Sequence, residues 1–334
     1  MKKPDLADSV SHNGRMNFLR KTWHGALGAA ILGGATALSL AQVAWVRAWY
    51  YQLAWWGYIL VVDAVIKYRQ GNSLIRDRTG AFGVMFLASA FFWFAWELVN
   101  LRLGNWHYLG VAEEIWLRWP GAFLAFATVL PGVLETYELL GSLGVSWGSR
   151  VRPISASDAW RPWFITVGII MFALPLIWPR LFFPLVWGAL VFLLEPINHR
   201  RGAKSLMSYW QAGDLSPFIR LLLAGLVCGL LWESWNWLSA ARWEYAIPYL
   251  NEPKLFAMPL AGFGGFPPFA VECYVFFACV SLLRGGKGWE ADDYDQAGGR
   301  PVPAWLGWAL GIGSIIFAAG MLGLIDRYLV KSWS

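Results

Sequence analysis

The sequence predicts an all-α, polytopic membrane protein. The expected architecture is a helical bundle of about nine transmembrane helices, built as two parallel four-helix repeats plus one C-terminal helix. Three observations carry this. Apolar residues make up 57% of the chain and charged ones 14%, against roughly 25% charged in an ordinary soluble domain. Apolar runs of about 18 or more residues recur along the whole length, each able to cross a hydrocarbon core of about 30 Å. A constellation of Trp, Glu, Asn, Tyr and Pro occurs twice, at a spacing of about 137 residues, which reads as an internal duplication.

Residues 1–22 form a polar tail rich in Lys and Arg. The run 23–46 contains Ser39-Leu40-Ala41, a passable signal-cleavage motif, but the charged leader is long for one, so a retained first helix is expected. Further spans fall near 50–67, 82–103, 121–145, 162–178, 181–197, 217–240, 262–284 and 303–325. With the N-terminus inside, the inner segments hold nineteen Lys and Arg and the outer ones eight. This obeys the positive-inside rule and predicts a cell inner (cytoplasmic) membrane protein with a cytoplasmic N-terminus and an external C-terminus. The basic excess is thereby accounted for without a nucleic-acid partner.

The second copy of the motif reads Trp232-Glu233-Ser234-Trp235-Asn236, then Trp243-Glu244-Tyr245, then Pro268 and Glu272. The first reads Trp96-Glu97-Leu98-Val99-Asn100, then Trp106-His107-Tyr108, then Pro131 and Glu135. Upstream, Trp56-Gly57 with Asp63, Arg69 and Gly71 parallels Trp187-Gly188 with Glu195, Arg201 and Gly202. The first membrane repeat is therefore 23–145 and the second 162–284. Four spans each leave both copies facing the same way, so a pseudo-twofold axis along the membrane normal is expected. Residues 285–302, with Glu290, Asp292, Asp293 and Asp295, read as a solvated cytoplasmic loop, and 303–334 as a last helix with a short tail.

Four carboxylates fall inside spans: Glu97, Glu135, Glu233 and Glu272. Each would cost at least about 2.5 kcal/mol against lipid, so all should face the bundle interior. Asn100 and Asn236 lie three residues after Glu97 and Glu233, on the same helix faces. An acid in a dry aromatic pocket suits proton donation to an alkene, with Trp and Tyr faces stabilising a cation; Trp106, Tyr108, Trp243 and Tyr245 are the candidate substrate contacts. The same Glu–Asn pairs also serve as interhelical hydrogen-bond glue. Asp63 and Glu195 read as interfacial salt-bridge partners of neighbouring Lys and Arg. Pro267-Pro268 after Gly262-Phe263-Gly264-Gly265 should open the start of its helix beside a cavity. The three Cys have no metal or haem spacing, and His24 and His199 are isolated, so neither metal nor cofactor is expected.

The ordered set of Trp-Glu with Asn, then Trp-x-Tyr, then Pro before Glu and an aromatic run resembles the lycopene cyclase domain family. Glu272-Cys273-Tyr274-Val275-Phe276-Phe277 is similar to that family's Glu-Glu-aromatic-x-Phe-Phe segment, with a single acid in place of the pair. The resemblance covers about 82–138 and 217–277. It implies redox-neutral cyclisation of a polyene end group, an isomerase-type reaction, with Glu272 and Glu135 as acids and Glu97 and Glu233 as polar partners. One expected function is acid-initiated cyclisation or hydration of a long isoprenoid or carotenoid. The alternative is a non-catalytic membrane subunit that binds lipid or pigment, or anchors a larger complex with other membrane subunits. Secondary transport fits the repeats but lacks a clear ion or substrate site.

Overall fold

Among the described residues, seven stretches are long and apolar enough to cross a membrane: 79–103, 115–142, 160–177, 179–201, 216–238, 260–283 and 304–328. Each coincides with an expected span. The computed structural model describes residues 6–146, 148–154, 159–249, 251–292 and 303–333, with side chains from Thr22 onward. The protein is an all-α, multi-pass membrane protein with short strands confined to connections.

The first half comprises α1 (Leu6–Leu40), α2 (Ala44–Gln70), the short α3 (Leu74–Asp77), α4 (Thr79–Leu103), strand β1 (Trp106–Leu109), α5 (Ile115–Phe126) and α6 (Val129–Ser142). The second comprises α7 (Trp160–Ile177), α8 (Pro179–Phe182), α9 (Val186–Arg201), α10 (Leu206–Gln211) and α11 (Ser216–Leu238). It continues through β2 (Arg242–Tyr245), β3 (Lys254–Leu255), β4 (Met258–Pro259) and α12 (Phe266–Leu283). The last helix is α13 (Ala304–Tyr328).

Close approach of α1 and α2 rests on two glycines. A Cβ on Gly28 would lie 2.6 Å from the Gly57 carbonyl oxygen, and one on Gly57 would lie 2.9 Å from that of Gly28. Small residues at such crossings let backbones gain dispersion contact where lipid offers no hydrophobic drive. The main core lies between α2, α4, α6, α9, α11 and α12, where Trp55, Phe92, Leu134, Ala224 and Phe277 are buried. A second cluster forms where α13 covers Ala90 and Phe94 of α4 and Phe126 of α5.

Several expectations are corrected. The described part of the N-terminal tail, from Leu6, is helical and joins the first span at a kink centred on Thr22 (φ −123°, ψ 15°); Lys2 and Lys3 lie outside the described residues. The loop after α12 is not simply solvated: Trp289 is buried, and its carbonyl accepts from the Arg78 guanidinium. Lys204 pairs with Glu290 and, at 2.6 Å, with Asp292. Asp293, Asp295 and Arg300 lie outside the described residues. The connections after α4 and α11 are not plain loops either, because β1 and β2 form a two-stranded ribbon. The expected opening before α12 is present, as a 3-10 segment over Leu260–Gly265.

Asp63 and Glu195 are buried rather than interfacial. Asp63 accepts from the Ser73 hydroxyl at 2.8 Å and the Ile75 main chain at 2.7 Å, and lies 2.9 Å from His24 Nε2. Glu195 accepts from the Met207 main chain at 2.7 Å. Each carboxylate thus holds the free N–H groups that open a short helix, α3 or α10. Ser73 and Ser205, the residues before those helices, stand 132 positions apart, as do Asp63 and Glu195. The Ser73 and Ser205 match is a recurrence that sequence reasoning missed.

Candidate functional site

The ribbon draws the two motif copies together. Its antiparallel register sets Trp106 opposite Tyr245, His107 opposite Glu244 and Tyr108 opposite Trp243. His107 is therefore a strand residue at the ribbon centre.

Each Asn fixes one strand from the helix below. The Asn100 amide donates to the Trp106 carbonyl at 2.9 Å, and its oxygen accepts from the Asn105 and Trp106 main chain at 2.8 and 3.3 Å. Asn236 repeats the arrangement, donating to the Trp243 carbonyl at 2.9 Å and accepting from the Trp243 N–H at 3.0 Å. A carboxamide carries one donor group and one acceptor, so it can close both main-chain valences of one outward-facing strand residue.

The neighbouring acids hold side chains. Glu97 accepts from Tyr108 at 2.5 Å, from the Trp93 indole at 2.7 Å, and from the Trp106 indole at 3.1 and 3.2 Å. Glu233 accepts from Tyr245 at 2.6 Å, and Tyr245 in turn accepts from the Trp243 indole at 2.8 Å. Its second oxygen has no hydrogen-bond partner among the described residues. One of the two missing donors has a simple origin. Trp93 has Gly229 at the matching position 136 residues on, and a Cβ there would already meet the Phe266 ring at 2.5 Å.

Beside the ribbon lies a cavity of about 490 Å³. Trp93, Trp106, Tyr108, Trp187, Trp232, Trp243, Tyr245 and Phe269 are among its lining residues, with Arg118 and Asp326 also in the wall. Trp93 lies tilted against Trp232 at 5.0 Å, Phe269 meets Trp187 edge to face at 5.6 Å, and Trp187 stacks on Trp106 at 6.3 Å. Aromatic pairs favour such arrangements because ring edges are positive and faces negative. Arg118 grips Asp326 through two bonds of 2.8 and 2.7 Å, tying α5 to α13.

Of the expected site residues, Trp106, Tyr108, Trp243 and Tyr245 line this cavity. Glu97, Glu233, Asn100 and Asn236 do not; they stand one layer behind, bonded to the residues that do. Glu272 is also outside the lining. It accepts from the Leu190 main chain at 3.0 Å, where the break at Trp187 (ψ 51°) and Gly188 (ψ −12°) frees N–H groups of α9. Glu135 is fully buried and sits beside Asp63, away from the cavity. The four acids thus do not converge on one point. Sequence reasoning overlooked Trp93 and Trp187 as wall residues. Trp93 lies one turn before Glu97, a spacing that marked it, whereas Trp187 reaches the cavity only through the break in α9.

A phenol hydroxyl that touches both cavity and buried acid can pass a proton between them, while the indole faces can hold an apolar or cationic guest. The chain is therefore a helical membrane protein with buried aromatic and acidic residues inside the bundle. It matches no family model, no curated protein and no solved structure.

Proposed function

We propose that the protein binds a long apolar isoprenoid or carotenoid in the aromatic cavity. The observation that carries this reading is the division of labour at the site: indoles and phenols form the wall, and Glu97 and Glu233 lock them from behind. Pockets for small molecules are mostly apolar with a few placed polar groups, and about 490 Å³ suits one end of a long chain. The resemblance to lycopene cyclases points to the same ligand class. Purified protein should carry such a molecule in near-stoichiometric amount, identified by solvent extraction and mass spectrometry, and Trp243→Ala should lose it. Ordinary membrane phospholipid alone, in unchanged proportions, would refute the reading.

The bundle in this reading has nine passes in two parallel repeats, with α1 and α2 added to the seven apolar stretches. The self-complementary ribbon register, the paired Asn100 and Asn236 bonds, and the paired Asp63 and Glu195 bonds support a twofold axis along the membrane normal. The inner-membrane orientation, N-terminus cytoplasmic, rests on the Lys and Arg asymmetry.

A second reading is acid-initiated cyclisation or hydration. The 2.5 Å Tyr108–Glu97 bond favours it, because it places a proton path at the cavity wall. Glu97→Gln would then abolish turnover of an added polyene while leaving binding intact; unchanged turnover would exclude this path.

A further inference from the structure

We propose that the second repeat carries a docking groove for a transmembrane helix of another polypeptide, one patterned like α13 and followed by an extended tail. The equivalences used here rest on the two-repeat reading above.

In the first repeat, α13 and its tail make two kinds of contact. The helix covers Ala90 and Phe94, both 0% exposed, and packs on Phe123. The tail then runs along the outer edge of β1: Tyr108 N–H donates to the Leu329 carbonyl and Lys331 N–H to the Tyr108 carbonyl, both at 2.8 Å. Among the described residues, no helix does the same for the second repeat. The matching positions are Leu226, Leu230 and Leu260, which are 43%, 49% and 51% exposed. The match of Tyr108 is Tyr245, whose outward main-chain N–H and C=O make no hydrogen bond to another described residue.

Lipid tails can cover three leucines, but they cannot satisfy a strand edge. An open edge is a template for an added strand. A helix that ends in an extended tail answers both needs at once, as α13 does on the other side. Charge narrows the occupant further. Asp326, in the last turn of α13, is gripped by Arg118 at the first groove. At the second, exposed Lys254 stands one residue before the match of Arg118. The partner helix should therefore bear an acid in its last turn and present that end at the ribbon.

The test places the full-length chain in phospholipid vesicles with a biotinylated peptide of its own residues 303–334, which has the required pattern. A photoreactive phenylalanine analogue replaces Leu230, or Phe91 on the first groove, or Ile169 on the exposed face of α7. Position 230 is expected to label the added peptide at least tenfold more than position 169, and Leu226→Arg should remove that labelling. Position 91 should label only the chain's own α13. Position 230 labelling only lipid, or a second copy of the chain, overturns the groove while leaving the repeats standing. If position 91 fails to reach the chain's own α13, both the groove and the two-repeat reading behind it fall.

Discussion

Tyr137 and Tyr274, at matching positions of the two motif copies, meet ring to ring with centroids 5.7 Å apart. They sit on α6 and α12, near the end of the bundle opposite the ribbon. Matched residues that touch each other lie beside any twofold axis, so this contact and the ribbon centre mark two points on the proposed one. In a chain freed of native cysteines, Tyr137→Cys with Tyr274→Cys should be bridged by a short thiol cross-linker, and neither single variant should. Absence of the bridge in intact membranes would count against α6 and α12 meeting at the axis.

The two acids behind the wall should differ in weight. Glu97 receives three side-chain donors and Glu233 one. Leaving a buried donor unsatisfied costs about 1–3 kcal/mol. Glu97→Ala is therefore expected to destabilise the protein by about 3 kcal/mol or more, and Glu233→Ala by about 1–2 kcal/mol. Thermal unfolding in detergent measures both, and equal costs would contradict the asymmetry between the two acids' bonding partners.

Much of this arrangement was readable in advance because its residues are chemically unusual where they stand. Glu, Asn and Trp inside spans are costly or bulky, so their recurrence at a nearly constant offset marked the matching helices, although the ribbon that joins the two copies was not read as strand. What could not be read was which atom each acid would meet. Glu272 looked like the cavity acid because glycines and prolines precede it, yet it serves the broken α9. That break falls at Trp187-Gly188, which has the same sequence as the unbroken Trp56-Gly57 of α2. Asp63 and Glu195 looked interfacial from their Lys and Arg neighbours, since nothing local reveals that the next short helix folds back over them.

Arg78 is fully buried, bonded to Glu138 at 2.6 Å and to the Trp289 carbonyl. Arg78→Ala would leave a buried carboxylate without its counter-charge, a change worth about 3–5 kcal/mol. It should also free the segment around Trp289, read as faster trypsin cleavage at Lys287. The double change with Glu138→Ala should recover part of the loss, and an additive result would argue that the pair is not coupled.

Asp77 supplies a pH dependence outside the apolar stretches. Burial opposes its charge, but bonds from Lys67 at 2.7 and 2.9 Å and from the Ser73 N–H at 2.8 Å outweigh that and hold its carboxyl below the usual 3.8. A depressed carboxyl stabilises the fold above its unfolded value, and that contribution is lost as pH falls through the folded value. The stability that Asp77 contributes should therefore be constant between pH 7 and 5 and decline below about 4. In Asp77→Asn that particular decline should be absent, as measured by amide exchange in 71–78; an identical acid profile would exclude this tie.

Electron density in the cavity tests the central claim most directly. A map of the protein purified from its membrane, resolved to side chains, should show one elongated apolar molecule. It should lie against Trp93, Trp106, Trp232 and Trp243, with Glu97 and Glu233 bonded to the wall and not to the guest. A cavity filled only by ordered water, or a guest held directly by either carboxylate, would contradict the account.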